Sequence, residues 1–161
     1  MKKAIIISGN LAQDHEFIYP YYRLLEAGFD VDVCLLEGKP VKGILGTTLP
    51  PNKNQMVKTI NEIKVSDYKI LVLPGGVKAM EKVRQEKKII ACICSGAQLL
   101  ISAKVVKGRR IAGYYSMEDD LVNAGAIYAD KPAVVDNNII TTAHYKDMGP
   151  WMREVIKKAE T

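Results

Sequence analysis

The chain has 161 residues, of which 48% are hydrophobic and 25% are charged, and its formal net charge is +5. This length suits one domain over residues 1–161, and the ordinary composition argues against disordered and fibrous classes. The 23 basic residues are scattered among 18 acidic ones, so we expect a solvated surface and no nucleic-acid partner.

The apolar runs exclude a membrane protein, and the cysteines argue against a secreted one. No run approaches the roughly 20 residues that a membrane-spanning helix needs, and Ala4–Ser8 is too brief for a signal peptide. Cys34, Cys92 and Cys94 leave an odd thiol and lack the spacing of a disulfide framework or a zinc site. We therefore expect a cytoplasmic protein without a metal ion.

The first half of the chain alternates strand and helix patterns. Phe17, Tyr21, Leu24 and Leu25 have the spacing of an amphipathic helix, which Gly28 is placed to end. The glycine and proline residues between positions 38 and 54 indicate small strands and turns. The predicted strands are Lys3–Ser8, Val31–Leu36, Tyr68–Pro74 and Lys88–Ile93.

Further helices separate the later strands. We expect Pro20 to lie near the start of the first helix, where a missing amide costs little. A helix of about ten residues is expected after Gly76, and a strand pair over 134–142 turns at Asn137-Asn138. Other helices are predicted at Gly96–Ala103, from the N-cap Ser116 to Gly125, and at Asp147–Ala159. This order predicts a mainly parallel sheet with helices on both faces.

Cys94 is the candidate nucleophile because it lies where a buried strand gives way to a helix. A sharp turn there projects the side chain above the carboxyl edge of the sheet. The unpaired amides of a helix start favour a thiolate, so we expect a lowered thiol pKa. The alternative is a small buried hydrophobic residue, which we favour for Cys92 and Cys34.

Glycines and a carboxylate are expected beside this thiol. Gly75 and Gly76 end a neighbouring strand, and the amides of Gly76 and Ser95 are candidates for holding an oxyanion. Glu16 begins the first helix and reaches the same crevice, where desolvation would raise its pKa. The alternatives are a simple tight turn and a carboxylate favoured by the helix dipole.

Taken together, several segments resemble the ThiJ/PfpI superfamily, and especially its PfpI branch of intracellular proteases and deglycases. The resemblance covers nearly the whole chain and rests on the order and spacing of the segments. These segments are Glu16–Gly28, Leu71–Gly76, Ile93–Ala103, Asp119–Gly125 and Trp151–Glu154.

The resemblance implies a flavodoxin-like three-layer α/β sandwich without a cofactor. It assigns the elbow nucleophile to Cys94, the helix-start acid to Glu16 and a pocket-lining tyrosine to Tyr114. Members are described as glyoxalases or deglycases, cysteine peptidases, redox-responsive proteins or chaperones. The resemblance therefore leaves the function divided.

The sequence departs from the PfpI branch at two places. Ser95 follows the nucleophile where that branch has histidine, so His144 is the candidate imidazole from the late strand pair, and the alternative is an ordinary surface histidine in a loop. The segment between Gly76 and Cys94 is shorter by about a helix, which leaves Glu81 an uncertain match for the acidic triad member. We expect a homodimer rather than the hexamer of that branch.

Our leading hypothesis is a glyoxalase- or deglycase-like enzyme in which Cys94 attacks a small aldehyde and Glu16 moves the proton. Peptide hydrolysis is a rival that Ser95 weakens, because a hydroxyl cannot act as an imidazole base. A redox sensor or chaperone that uses an oxidisable Cys94 is a third possibility.

Overall fold

A computed structural model describes residues 2–75 and 88–161 of the chain. It contains eleven strands and four α-helices within these ranges, together with short 3-10 turns. The helices are α1 (Asp14–Glu26), α2 (Ala97–Ser102), α3 (Glu118–Asn123) and α4 (Met148–Glu160). The strands are β1 (Lys3–Ser8), β2 (Asp30–Leu35), β3 (Val41–Lys42), β4 (Thr48–Leu49), β5 (Val57–Lys58), β6 (Ile70–Leu73), β7 (Ile89–Ile93), β8 (Arg110–Ile111), β9 (Ile127–Tyr128), β10 (Val134–Asp136) and β11 (Ile139–Thr142).

Seven of these strands form one sheet in the order β10-β11-β7-β6-β1-β2-β5. Neighbouring strands are parallel except for β10 and β11, which pair as an antiparallel hairpin. The chain runs from β1 outward to β2 and β5 on one side, and from β6 to β7 and β11 on the other. The order thus reverses between β1 and β6, and such a reversal opens a crevice at the carboxyl ends of the strands.

Hydrophobic residues pack on both faces of the sheet. One cluster joins α1 and α4 to the sheet and includes the fully buried Phe17 and Trp151. The other lies under α2 and α3 and includes Leu100 and Leu121. Because both faces are covered, the central strands are apolar throughout. The predicted flavodoxin-like α/β architecture is confirmed.

Trp151 ties the last helix to the sheet. Its indole Nε1 donates a hydrogen bond of 2.9 Å to the backbone oxygen of Ile140 in β11, and its side chain is fully buried. A buried indole needs such a partner, because its N–H loses its contacts with water.

Several local predictions are confirmed. The first strand has the predicted bounds, and Gly28 follows α1 with a φ of 77°, as a helix-ending glycine should. The segment over 38–54 forms the small β3-β4 hairpin. Asn137 takes the turn of the β10-β11 hairpin with a φ of 52°.

Other local predictions are wrong. Pro20 lies inside α1 rather than near its start. Because proline has no backbone N–H, it donates no helical hydrogen bond to the carbonyl oxygen of Glu16. Leu25 is 42% exposed, which removes it from the apolar stripe. Ser116 lies in a 3-10 turn, and Met117 rather than Ser116 occupies the N-cap of α3. The helix predicted after Gly76 lies outside the described residues.

Within residues 2–75 and 88–161, no helix is long and apolar enough to cross a membrane.

Candidate active site

Cys94 occupies a sharp turn at the carboxyl end of β7. Its φ is 58°, a left-handed conformation that is uncommon for a residue with a side chain, and it opens a 3-10 turn, Cys94–Gly96. Gly96 lets this turn pack on the sheet, since a Cβ there would lie 2.5 Å from the oxygen of Leu73. The elbow therefore forms as predicted, and the thiol is half-buried.

Glu16 and Gly75 pack against this thiol. Oε2 of Glu16 accepts a 2.7 Å hydrogen bond from the Gly75 amide, and the Glu16 carboxyl is also hydrogen-bonded to the Cys94 thiol. A Cβ on Gly75 would lie 2.6 Å from that oxygen, 2.8 Å from Oγ of Ser95 and 3.1 Å from the Cys94 Cβ. Gly75 is thus needed because three side chains converge on its α-carbon.

Glu16 is the buried carboxyl of the site, with 1% of its surface exposed. Burial raises its pKa above the usual range, while the Gly75 amide and the Cys94 thiol oppose that rise. The sequence predicted this direction. A carboxyl with a raised pKa keeps its proton to a higher pH than an ordinary carboxyl does, which suits it to proton transfer.

The predicted lowering of the Cys94 pKa is wrong. Burial and the negative charge of Glu16 raise the thiol pKa to about 12, and hydrogen bonds from the Ser95 amide and hydroxyl offset only part of this rise. The following helix α2 has six residues, so its dipole contributes little. Because two adjacent negative charges are disfavoured, a thiolate at Cys94 forms more readily when Glu16 is protonated, although burial still opposes it.

Cys94 and Glu16 accordingly behave as one coupled pair. Both pKa values are raised, and each group is hydrogen-bonded to the other. When the pair has lost one proton, the remaining proton is shared between sulfur and carboxyl. The reactive form is the one in which Glu16 keeps the proton and the sulfur is a thiolate.

Tyr114 and His144 lie at the rim of the site. The Tyr114 amide donates a 3.4 Å hydrogen bond to the backbone oxygen of Cys94, and the Tyr114 and His144 rings are 6.3 Å apart. Nδ1 of His144 accepts a hydrogen bond from the Lys146 amide at 3.3 Å. Among the described residues, Glu16 and Ser95 are the hydrogen-bond partners of the sulfur, and His144 is not one of them.

The remaining predicted positions differ in what the structure says of them. The Gly75 amide is directed at Glu16, so it does not face the site as an oxyanion donor. Gly76 and Glu81 lie outside the described residues. In the described part of the chain, no three His, Cys, Asp or Glu side chains cluster as metal ligands would.

The other two cysteines are buried in the sheet, as the sequence predicted. Burial, helped by the charge of Glu62, raises the pKa of Cys34 to about 11. Burial also raises the pKa of Cys92 far above its usual value. The exposure of Cys94, rather than its intrinsic acidity, separates it from these two thiols.

Gln13 is a residue of the site that the sequence analysis missed. The Gln13 side-chain oxygen accepts a 3.0 Å hydrogen bond from the Glu16 backbone amide. The Gln13 backbone amide donates a 3.2 Å hydrogen bond to the backbone oxygen of Gly75. Both backbone groups of Gly75 are therefore tied to the start of α1. The available signal was a polar residue three positions before a glutamate, which is the spacing of an N-cap.

Asp14 was also missed. Its carboxylate is 2% exposed and accepts hydrogen bonds from the amides of Leu45 at 2.7 Å and Thr47 at 2.9 Å. Burial raises its pKa, but these contacts outweigh that effect and the pKa lies below its usual value. Asp14 thus anchors the β3-β4 hairpin to the helix that carries Glu16.

The fold and the site define a class: α/β proteins with a half-buried elbow thiol and a buried carboxyl at the switch point of a mainly parallel sheet. The sequence model of the DJ-1/PfpI family matches residues 2–158. The chain belongs to this family.

Individual relatives agree with this assignment. The chain is 37% identical to a Pyrococcus furiosus protein named Deglycase PfpI, over 96% of this chain and 98% of that one. It is similar to the crystal structure of Drosophila melanogaster DJ-1beta, with a TM-score of 0.84, 26% identity, and coverage of 99% and 94%. It also matches a two-domain protein from Anabaena variabilis that contains DJ-1/ThiJ/PfpI-like and ferritin-like domains, with a TM-score of 0.85 and 29% identity. There the match covers 98% of this chain and about half of the larger protein, 48%.

Proposed function

We propose that this chain is a cofactor-free, cysteine-dependent enzyme that converts small reactive carbonyls to hydroxy acids, in the manner of a glyoxalase or deglycase. The observation that carries the proposal is the half-buried Cys94 thiol hydrogen-bonded to the buried Glu16 carboxyl. The 37% identity with a protein named as a deglycase supports the same class of reaction.

The first step is addition of the thiol to an aldehyde carbon. The sulfur of Cys94 forms a bond to that carbon, the carbonyl π bond breaks, and its electron pair goes to oxygen. Glu16, which holds the shared proton when sulfur is ionised, gives that proton to the oxygen. The product is a neutral hemithioacetal, and Glu16 is left as a carboxylate.

The second stage moves a hydrogen from the first carbon to the second. The Glu16 carboxylate removes the proton from the first carbon, whose electron pair forms the carbon–carbon double bond of an enediolate while the charge goes to the second carbonyl oxygen. That oxygen takes the proton of the first hydroxyl, the first carbonyl re-forms, and Glu16 returns its proton to the second carbon. This gives the thioester of a 2-hydroxy acid. Water then cleaves the thioester, releases the acid and restores the thiol, so methylglyoxal and one water become lactate.

Ser95 stabilises the anionic species in this scheme. Its amide and hydroxyl both hydrogen-bond to sulfur in the resting site and lower the thiol pKa. Once sulfur is bonded to carbon, these donors are available to the developing oxyanion next to it. Ser95 therefore acts by donating hydrogen bonds, and Glu16 moves the proton.

The test is lactate formation from methylglyoxal by the unaltered protein, by Cys94→Ala and by the control Cys34→Ala. Cys34 is a fully buried thiol in β2, so its removal tests whether loss of any cysteine matters. We expect Cys94→Ala to abolish turnover and Cys34→Ala to retain it. Equal rates for the unaltered protein and Cys94→Ala would end the proposal.

A redox sensor is the second candidate, and the hydrogen bonds around the sulfur favour it. A peroxide oxidises the Cys94 thiol in two two-electron steps to a sulfinic acid, with each peroxide reduced to water. Glu16 and Ser95 are placed to hydrogen-bond the new oxygens. Selective gain of two oxygens at Cys94, without turnover of any aldehyde, would favour sensing over catalysis.

Peptide hydrolysis has less support. The residues hydrogen-bonded to the sulfur are Glu16 and Ser95, whereas His144 accepts a hydrogen bond from the Lys146 amide. A peptidase would need an imidazole or an equivalent base to deprotonate the thiol and protonate the leaving amine. Cleavage of a fluorogenic peptide that is lost in Cys94→Ser would restore this alternative.

A further inference from the structure

Five aromatic rings lie in a chain at the carboxyl edge of the sheet, next to the candidate nucleophile. They come from three separate segments: the start of α1, the segment after β8 and the segment after β11. Neighbouring ring centroids are 4.3 Å apart for Tyr114 and Tyr115, 6.3 Å for Tyr114 and His144, 4.1 Å for His144 and Tyr145, and 6.0 Å for Tyr145 and His15. We call these five residues the aromatic rim.

The aromatic rim is anchored to the reacting thiol on two sides. The Tyr114 amide is hydrogen-bonded to the carbonyl oxygen of Cys94. His15 directly precedes Glu16 in α1, and Glu16 is hydrogen-bonded to the Cys94 thiol. The Tyr114 end of the aromatic rim is thus the part that lies next to Cys94 along the backbone, and a substituent on a carbon bonded to the sulfur would reach the rim from there.

Three of the five rings are exposed: His15, Tyr115 and Tyr145. Tyr115 is 70% exposed and Tyr145 is 49% exposed. The Tyr115 ring nevertheless packs against a neighbour, because the Tyr114 ring centroid lies 4.3 Å away at an interplanar angle of 46°. A fixed, exposed aromatic face is preorganised for binding, since little side-chain freedom remains to be lost.

We propose that the aromatic rim is a stacking subsite for a planar, conjugated substituent carried next to the carbonyl group that Cys94 attacks. Offset or tilted rings attract one another beyond the effect of buried area. A planar substituent that reaches the exposed face of Tyr115 or of Tyr145 gains these contacts, whereas a methyl group offers little surface to either ring. These two tyrosines then determine specificity, and the chemistry stays with Cys94 and Glu16. The inference deepens the proposed function, which supplies the carbonyl substrate.

The test uses alkylation of Cys94, which needs no turnover. N-phenyliodoacetamide and N-cyclohexyliodoacetamide carry rings of similar size, but only the first is planar and conjugated. Rate constants at Cys94 are measured by mass spectrometry and divided by those for free N-acetylcysteine. We expect a planar preference of about three- to tenfold in the unaltered protein.

Three variants locate this preference. Tyr115→Leu and Tyr145→Leu keep an apolar side chain but remove the aromatic face, so each should lower the planar preference about threefold. Tyr22→Leu is the control, because Tyr22 is an exposed tyrosine of α1 that does not belong to the aromatic rim. It should leave the preference unchanged. An equal rate ratio in all four proteins would overturn the subsite.

A cationic reagent tests the nature of the occupant. Aromatic faces also attract ammonium and guanidinium groups. If an iodoacetamide with a trimethylammonium substituent reacts faster than the phenyl reagent, and this gain is lost in Tyr115→Leu, the assignment to neutral planar groups is overturned.

Turnover separates this inference from the proposed function. Phenylglyoxal should be preferred to methylglyoxal in kcat/KM by the same factor as the planar reagent, and Tyr145→Leu should reduce both preferences together. A planar preference in alkylation without conversion of either aldehyde would keep the subsite and refute the enzyme. Conversion of both aldehydes without a planar preference would support the enzyme and refute the subsite.

Discussion

A methyl group on Gly75 should disable the site while leaving the fold intact. The Cβ of Gly75→Ala would lie 2.6 Å from Oε2 of Glu16, whereas an ordinary contact begins at 3.4 Å. The carboxyl oxygen must therefore retreat by about 0.8 Å, and its 2.7 Å bond to the Gly75 amide lengthens beyond hydrogen-bonding distance. The Ser95 hydroxyl, 2.8 Å from the same position, must also move.

The size of the effect follows from these displacements. A misplacement of about 1 Å in a catalytic group costs up to about 100-fold in rate, so we expect kcat/KM for methylglyoxal to fall by about that factor. Overpacking of this kind costs about 1–3 kcal/mol. For a chain of this size, that lowers Tm by about 2–12 °C.

The assay pairs lactate formation with iodoacetamide labelling of Cys94 and thermal unfolding by circular dichroism. Labelling reports on the thiol even if the aldehyde is not the substrate. Gly149→Ala is the matched control, because its Cβ would meet only the Tyr19 hydroxyl at 3.8 Å and it lies in α4. The control should keep both rates and gain a little stability. Full activity and normal labelling in Gly75→Ala would refute the close packing of the site.

Three further predictions concern the proton, the hairpin anchor and the core. Glu16→Gln keeps a hydrogen-bond donor for the Cys94 thiolate, whereas Glu16→Leu does not. Iodoacetamide labelling of Cys94 at pH 7.5 should therefore be about tenfold faster in the Gln variant, while both variants lose turnover. Equal labelling rates in the two variants would contradict the shared proton. Asp14 has a lowered pKa in the folded chain, so its carboxylate stabilises the fold above its unfolded pKa, and this contribution is lost as pH falls through the folded value. Asp14→Asn should therefore cost about 2 kcal/mol in urea unfolding at pH 7 and progressively less as pH falls through the folded pKa of Asp14. A cost independent of pH would refute this. Trp151→Phe removes the hydrogen bond to the Ile140 carbonyl, so it should lower the free energy of urea unfolding by about 2–4 kcal/mol and leave kcat unchanged. A loss of kcat in the folded variant would instead link Trp151 to the active site.

The sequence predicts the sheet well because its strands are continuous apolar runs. Lys3–Ser8 has the observed bounds, since it joins a charged start to a polar end with only buried residues between. Pro20 shows the limit of such reasoning. Local preference places a proline at a helix start, but packing of Phe17 and Tyr21 in the core holds α1 together through it.

The site is less accessible from sequence than the fold. The positions of Cys94 and Glu16 follow from their places after β7 and β1, because parallel strands bring these ends to one edge. The degree of burial of the Cys94 thiol does not follow from the sequence, and this burial decides the direction in which the thiol pKa shifts. Gln13 was missed for a related reason, since its role lies in backbone contacts with a distant Gly75.

The strand order explains why the acidity of the nucleophile belongs to a pair rather than to one residue. Glu16 follows β1 and Gly75 follows β6, the two strands between which the order reverses, and Cys94 follows the next strand, β7. The reversal lets the start of α1 fold over the end of β6, so the carboxyl is buried against the thiol instead of facing water. Burial disfavours two negative charges at this place, so the Cys94–Glu16 pair carries at most one. The same contact that opposes a simple thiolate thus leaves a proton beside the sulfur, where addition to a carbonyl requires one.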